Sequence, residues 1–308
     1  MMPVEQAKAV VWLAYRVARR WWYTALGRNP LLRAGAAPSV AFEWRSIRGL
    51  TKSKANPPHR IRTEGSFTLW STTLGELWTP SGVSEDYVSM LIGEMAALVY
   101  DLSALPGKGA GATVLDIGAN IGVFSRWAFR HGAEKVVSFE PSPGNAECLR
   151  RNLANEMAAG RAFVIEKGLW DTTTTVSFSA TNELNPGSHC VVENGKGEVT
   201  VPVVKLDDTF AELGLNRLDY IKMDIEGAEE RALAGALKTI ARFRPQLCVV
   251  VEHTDDIFAN GQGVVARIAG AGCGYRYRAT EAHTYVSPSR GRVLTPYSLL
   301  FYPAESRS

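Results

Sequence analysis

Two carboxylates that close apolar runs give this chain its first chemical signal. Asp116 sits in Val114-Leu115-Asp116-Ile117-Gly118-Ala119-Asn120-Ile121-Gly122, an apolar run that enters a glycine-punctuated turn and leaves as Val123-Phe124-Ser125-Arg126-Trp127-Ala128. That pattern reads as strand, tight loop and helix start, which brings backbone N–H groups and a helix N-terminus up to a cofactor. A pyrophosphate favours neutral or basic surroundings, whereas a carboxylate suits a cofactor with an ammonium and a sulfonium, such as S-adenosylmethionine. Glu140 ends Glu134-Lys135-Val136-Val137-Ser138-Phe139-Glu140, 24 positions after Asp116. In a βαβ unit an acid placed there accepts hydrogen bonds from both ribose hydroxyls; the other reading is a solvated strand-end Glu. The spacing Gly118-x-x-x-Gly122 departs from the Gly-x-Gly-x-x-Gly of dinucleotide loops, so the signal leans to methyl transfer over hydride transfer.

A second group of candidates lies downstream. Lys222, Asp224 and Glu226 alternate, which puts them on one side of an extended segment as a strand ends. Acids so close repel unless paired or bound to a cation, and Lys222 neutralises one of them. In the functional reading Asp224 lies by the methionine portion or the acceptor hydroxyl, and Asp224, Glu226 and Glu252 are the set that would hold a divalent ion. The alternative is an internal ion-pair network that shapes the loop, and no metal is assigned. His253 follows a strand end, and imidazole titrates nearest neutrality, so it is the candidate general base; a structural histidine is the alternative.

These residues need a scaffold, and the chain supplies an alternation of apolar runs and helical stripes from Gly111 onward. Strands are expected over 114–117, 134–140, 162–165, 175–178, 199–204, 218–224 and 246–252, with helices over 123–131, 146–158 and 226–240. Such alternation favours a mostly parallel sheet covered on both faces, where ligands sit at the carboxyl ends of strands. Asp116, Glu140, Asp224, Glu252 and His253 are therefore expected at one edge. Upstream, a strand pair is expected over 67–78 around Gly75, and a helix over 84–102 with Tyr87, Met90, Leu91, Met95 and Leu98 on one stripe.

Composition narrows the class. The 308 residues are 46% hydrophobic and 21% charged, ordinary for a globular protein, and the net charge of +3 argues against a nucleic-acid partner. Cys148, Cys190, Cys248 and Cys273 form no CxxC pair, which argues against a zinc site or a disulfide scaffold and fits reduced thiols in the cytoplasm. No apolar run approaches the roughly 20 residues that span a bilayer. The basic residues concentrate at the start: residues 1–62 hold twelve Lys and Arg against Glu5 and Glu43. Residues 4–26 read as an amphipathic helix, with Val10, Leu13, Ala14, Val17 and Trp21 on one side and Lys8, Arg16, Arg19 and Arg20 on the other. Its apolar side is expected either on its own domain or a second subunit, or at the inner face of a membrane.

Three motifs in order carry a family resemblance: residues 115–122, Phe139-Glu140-Pro141-Ser142-Pro143, and Ile221-Lys222-Met223-Asp224-Ile225-Glu226-Gly227-Ala228-Glu229. With Lys205-Leu206-Asp207-Asp208 and Val251-Glu252-His253 as lesser matches, the chain resembles the FkbM-type family of S-adenosylmethionine-dependent methyltransferases over about residues 85–302. The resemblance implies a class I, Rossmann-like α/β fold, a seven-stranded mostly parallel sheet whose last strand is antiparallel. Residues 298–302 are the expected last strand, with residues 275–278 before it. It also implies cofactor contacts from Asp116, Gly118, Asn120, Gly122 and Glu140. Asp171 is expected at the adenine amino group and Trp170 over the ring, and the acceptor is a hydroxyl of a small molecule, sugar or glycolipid. The domains are expected as residues 1–80, a helical extension, and residues 81–308, the methyltransferase domain. A non-catalytic or membrane-tethered binding protein on this fold is the second reading, and a nicotinamide-dependent oxidoreductase the third.

Overall fold

The computed structural model of the chain describes residues 4–26, 55–96, 100–102, 105, 109–180, 189–191, 199–252, 257–279, 282–287 and 291–304. A helix, Val4–Ala25, precedes three short strands, β1 (His59–Glu64), β2 (Phe67–Thr72) and β3 (Gly75–Pro80), which pair antiparallel in that order. Helix Glu85–Ala96 leads to β4 (Ala112–Ile117), then helix Val123–Arg130 and β5 (Ala133–Phe139). Helices Pro143–Asn152 and Ala154–Ala158 lead to β6 (Ala162–Ile165). Four short strands follow, β7 (Gly168–Leu169), β8 (Thr174–Ala180), β9 (His189–Val191) and β10 (Val199–Val204). Past helix Leu206–Glu212 come β11 (Tyr220–Met223), helices Glu229–Ala234 and Leu237–Phe243, and β12 (Gln246–Val250). Helix Ile257–Gly270 then precedes β13 (Arg276–Ala279), β14 (Ala282–Ser287), β15 (Gly291–Pro296) and β16 (Ser298–Tyr302).

The main sheet has seven strands in the order β13-β16-β12-β11-β4-β5-β6. β12, β11, β4, β5 and β6 run parallel, and β16 is antiparallel to both neighbours. This is the expected class I methyltransferase sheet with its reversed last strand. Every residue of β4, β11 and β12 is buried, as a parallel sheet covered on both faces requires. Alternation divides these strands between two cores. Leu115, Ile117, Ile221, Met223, Leu247 and Val249 pack under the helices that follow β10, whereas Val114, Val136, Tyr220, Cys248 and Val250 face helices Glu85–Ala96 and Val123–Arg130.

Several expectations shift. The strands expected over 175–178 and 199–204 lie in a separate four-stranded sheet, β7-β10-β8-β9. The single helix expected over 226–240 is two, interrupted at Gly235, where a side chain would collide with the Trp170 carbonyl. The helix expected over 146–158 breaks at Leu153. In helix Glu85–Ala96 the buried stripe is Val88, Ile92 and Met95; of the expected stripe, Tyr87, Met90 and Leu91 border an open cleft, with Tyr87 and Leu91 also packed on the edge of the core. Leu98 lies outside the described residues.

The boundary expected at residue 80 does not coincide with a break in packing. Trp70, Leu74 and Leu77 share a core with Val88, Ile121 and Phe124. Asn152 links the small sheet to the main body: its Oδ1 accepts the Trp78 N–H at 2.7 Å, and its Nδ2 donates to the carbonyls of Trp78 and Ile121 at 2.9 and 2.7 Å. Asn152→Ala leaves three buried backbone groups short of partners and is expected to lower stability by about 2–4 kcal/mol. Urea unfolding measures the loss, and hydrogen exchange is expected to locate it in β2 and β3 together with the loop at Ile121.

Candidate active site

A cleft of about 520 Å³ opens at the carboxyl ends of β4, β5 and β11, roofed by helix Glu85–Ala96 and flanked by β7 and β10. Its volume falls within the range of small-molecule sites. On the β4–β5 side Gly118, Asn120, Glu140, Ser142 and Trp170 line it; on the β11–β12 side Asp224, Glu226, Glu252, Glu94 and Tyr297 do.

Glu140 is buried and held by two backbone donors: Asn120 N–H to Oε2 at 2.8 Å and Ser142 N–H to Oε1 at 2.9 Å. The loop after β4 and the loop after β5 are thereby joined through one carboxylate. Each oxygen keeps further acceptor capacity, which suits a pair of hydroxyl donors. Burial pushes the Glu140 carboxyl up to about 7, against the pull of those N–H donors. Asn120 adopts a left-handed backbone, φ 51°, that lets its N–H reach Glu140. Its Nδ2 donates to the Tyr87 hydroxyl at 3.0 Å, and its buried Oδ1 accepts no hydrogen bond among the described residues. An unmet acceptor beside an oxygen-rich carboxylate is what a ligand bearing N–H or O–H groups would satisfy.

Gly118 and Gly122 both have positive φ, 74° and 87°. A side chain at Gly118 would collide with the Asp224 carbonyl, so glycine there lets the ends of β4 and β11 close together. Gly122 instead makes room for Leu149 in the core beneath the loop. The N–H groups of Gly118 and Ala119 both donate to the Phe139 carbonyl, at 3.0 and 2.9 Å, and brace the loop against β5.

Asp116 does not line the cleft. It shares a sheet face with its register partners Ser138 and Lys222, and that face turns beneath helix Val123–Arg130. Ser125 Oγ donates to Asp116 Oδ2 at 2.6 Å, and Lys222 Nζ lies 3.4 Å from Oδ1. Of this row only Lys222 lines the cleft; Asp116 stays beneath, enclosed by Ser125 and the Lys222 ammonium. Lys222 Nζ also donates to the Gly118 carbonyl at 2.6 Å and lies 3.9 Å from Asp224 Oδ2. Burial alone would depress its pKa, but Asp116, Asp224 and Glu94 outweigh it, so the ammonium sits above the ordinary lysine value. Lys222 is thus a fixed cation. Asp224 accepts the Tyr100 hydroxyl at 2.8 Å and faces the cleft.

Asp171 is likewise absent from the cleft lining, because Arg231 holds its carboxylate in a 2.7 Å ion pair outside. Trp170 does line the cleft, with the Arg231 guanidinium 5.5 Å from its ring centroid. His253 lies outside the described residues. Glu226, φ 56°, and Glu252 border the cleft with Asp224, yet among the described residues no three His, Cys, Asp or Glu side chains converge as a metal-binding group.

Sequence reasoning missed two carboxylates. Glu229 is fully buried and accepts the N–H groups of Ile225 and Gly227, each at 3.2 Å, and the Asn260 amide at 3.2 Å, fixing the turn that carries Glu226. Its position three residues after Glu226, at the start of a helix, was the available signal. Glu94 faces the cleft among apolar neighbours and accepts the Tyr297 hydroxyl at 3.2 Å; burial, with Asp224 nearby, pushes it up to about 7. A lone acid in a helical stripe gave no such signal.

The sheet order and the cleft at its carboxyl edge are those of the class I methyltransferase fold. The Methyltransferase FkbM domain family matches residues 116–277, and the chain belongs to it. Methyltransferase sdnD of Sordaria araneosa is 29% identical over 168 residues, covering 44% of this chain and 63% of that protein. 31-O-demethyl-FK506 methyltransferase FkbM of Streptomyces tacrolimicus is 29% identical over 191 residues, covering 53% and 72%. The chain thus spans about two thirds of the length of these curated relatives. A crystal structure of Methyltransferase FkbM from Methylobacillus flagellatus KT aligns with a TM-score of 0.47 at 19% identity, covering 85% of this chain and 60% of that one.

The two raised carboxyls set a pH dependence. With folded values near 7 against an ordinary 4.5, Glu94 and Glu140 bind more protons folded than unfolded between those limits. Their contribution to stability is present in full below about pH 4.5 and is lost as pH rises through about 7. Each carboxyl is expected to add a downward slope of up to about 1.4 kcal/mol per pH unit in that window. Urea titrations of ligand-free protein from pH 5 to 8 measure it, and Glu94→Gln and Glu140→Gln should each flatten the curve.

Proposed function

We propose that the chain transfers the methyl group of S-adenosylmethionine to a hydroxyl oxygen of a sugar, glycolipid or other small molecule. The observation that carries this reading is the buried Glu140 carboxylate, fastened at the carboxyl end of β5 beside the unmet Asn120 acceptor. When bound, S-adenosylmethionine supplies an activated methyl group that needs little further polarisation. In this reading Glu140 accepts the ribose hydroxyls and Trp170 covers the adenine. Asp224, oriented by Tyr100 and Lys222, faces the methionine portion or the acceptor hydroxyl. Asp116 and Asp171 have no direct cofactor role here; Asp116 acts through Lys222. The names of two relatives support oxygen as the methylated atom, 31-O-demethyl-FK506 methyltransferase and 2-O-methyltransferase NoeI of Sinorhizobium fredii, and that of hexuronic acid methyltransferase AglP of Haloferax volcanii supports a sugar-type acceptor. Cys148, Cys248 and Cys273 are free thiols, which supports a reducing compartment, and the cytoplasm is the proposed location.

Alignment of the acceptor oxygen and removal of its proton are the work left to the protein. His253 is proposed as the proton acceptor, since it follows Glu252 at the cleft edge in sequence.

Glu140→Ala is expected to weaken S-adenosylmethionine binding by about 1.5–3 kcal/mol in calorimetry; unchanged affinity in a folded variant removes the assignment. His253→Ala is expected to slow methyl transfer by roughly 100-fold or more while cofactor affinity holds. Near-normal turnover in that variant would remove His253 from the reaction. Loss of the acid limb of the rate profile in Glu94→Gln would give the proton to Glu94 instead.

A further inference from the structure

In helix Val4–Ala25 the expected polar side is the more buried one, while Ala14 and Trp21 of the expected apolar side are exposed and Val17 is half-buried. Arg16 is 6% exposed, Arg19 and Arg20 are half-buried, and Tyr23 packs against the core beneath the main sheet. The outward face carries Val11, Tyr15, Trp21 and Trp22, with Trp21 75% and Trp22 65% exposed. Ala14, Ala18 and Ala25 fill the same face, and every exposed position described along this helix is uncharged. At 3.6 residues per turn these positions fall within an arc of about 120°. A continuous apolar stripe of that width normally meets a partner.

We infer that this face lies on an anionic lipid surface, with Trp21 and Trp22 entering the headgroup region. Charge selects the occupant. Arg16, Arg19 and Arg20 turn inward, but residues 1–62 as a whole hold twelve Lys and Arg against two acids, with Arg60 and Arg62 exposed on β1, so two copies meeting here would repel, whereas an anionic bilayer attracts the segment. Adjacent indoles, apolar in body with one N–H donor each, are suited to the boundary between headgroups and acyl chains. No helix among the described residues is long and apolar enough to cross a membrane, which is consistent with a helix lying in the surface plane. The inference concerns a surface apart from the cleft and does not rest on the methyl-transfer reading.

The test is flotation of the 308-residue chain with vesicles of phosphatidylcholine alone and with about 30% phosphatidylglycerol, at low and high salt, beside the double variant Trp21→Ser, Trp22→Ser. Both positions are exposed, so the double variant should keep its fold, and circular dichroism checks this. The inference expects the chain to float with anionic vesicles, at least tenfold less at high salt and at least tenfold less in the double variant. No flotation with anionic vesicles at low salt would overturn it, as would equal flotation with both vesicle types. A dimer in sedimentation that the double variant dissociates, without flotation, would assign the face to a second copy and overturn it as well.

Discussion

A single buried ammonium holds the working edge of the sheet together. Lys222, with its side chain 5% exposed, reaches from β11 to Asp116 and the Gly118 carbonyl on β4 and the loop after it, and toward Asp224 where β11 ends. A lone charge so buried would be costly; flanked by carboxylates and a carbonyl it becomes a fixed point. Asp116 is in turn tied by Ser125 to helix Val123–Arg130, and Ser125 to Ser138 on β5 at 2.8 Å. One polar row therefore spans β5, β4 and β11 at the point where the cleft begins, and the backbone at Gly118 and Asp224 closes around it.

Above that row the cleft concentrates carboxyls that water does not reach freely. Glu140 and Glu94 titrate near neutrality for the same physical reason, burial, yet their surroundings differ. Two backbone N–H donors hold Glu140, whereas Glu94 faces Asp224 and accepts a tyrosine hydroxyl. The two sides of one cleft are thus distinguished by hydrogen-bond supply more than by residue type.

The sheet was legible because its strands are apolar on both faces and their order follows from the motifs at their ends. β4, β5, β6 and β12 fall within a few residues of expectation, and the reversed β16 lies at residues 298–302 as expected. Glu140 was legible for the same reason, a carboxylate closing a strand. Asp116, expected among the cofactor contacts, lies outside the cleft lining, tied to Lys222 and Ser125; the motif alone does not reveal those partners. Asp171 lies outside the cleft lining, paired with Arg231, 60 positions later, a partner no local pattern reveals. Apolar periodicity does not distinguish a core from an apolar cleft wall, and the stripe of helix Glu85–Ala96 serves both. Arg16 is buried on tertiary contacts that no local pattern encodes.

The most direct test of this account is a double-mutant cycle on Lys222→Met and Asp116→Asn, read by urea unfolding and by affinity for S-adenosylhomocysteine. Each single change strands a buried partner and is expected to cost about 3–5 kcal/mol in stability, and the double variant should lose less than the sum by at least about 2 kcal/mol. Both single variants should also bind the nucleoside more weakly, although neither residue reaches the Glu140 end of the cleft. Additive losses within about 0.5 kcal/mol, or unchanged affinity in both single variants, would contradict the claim that this pair positions the site.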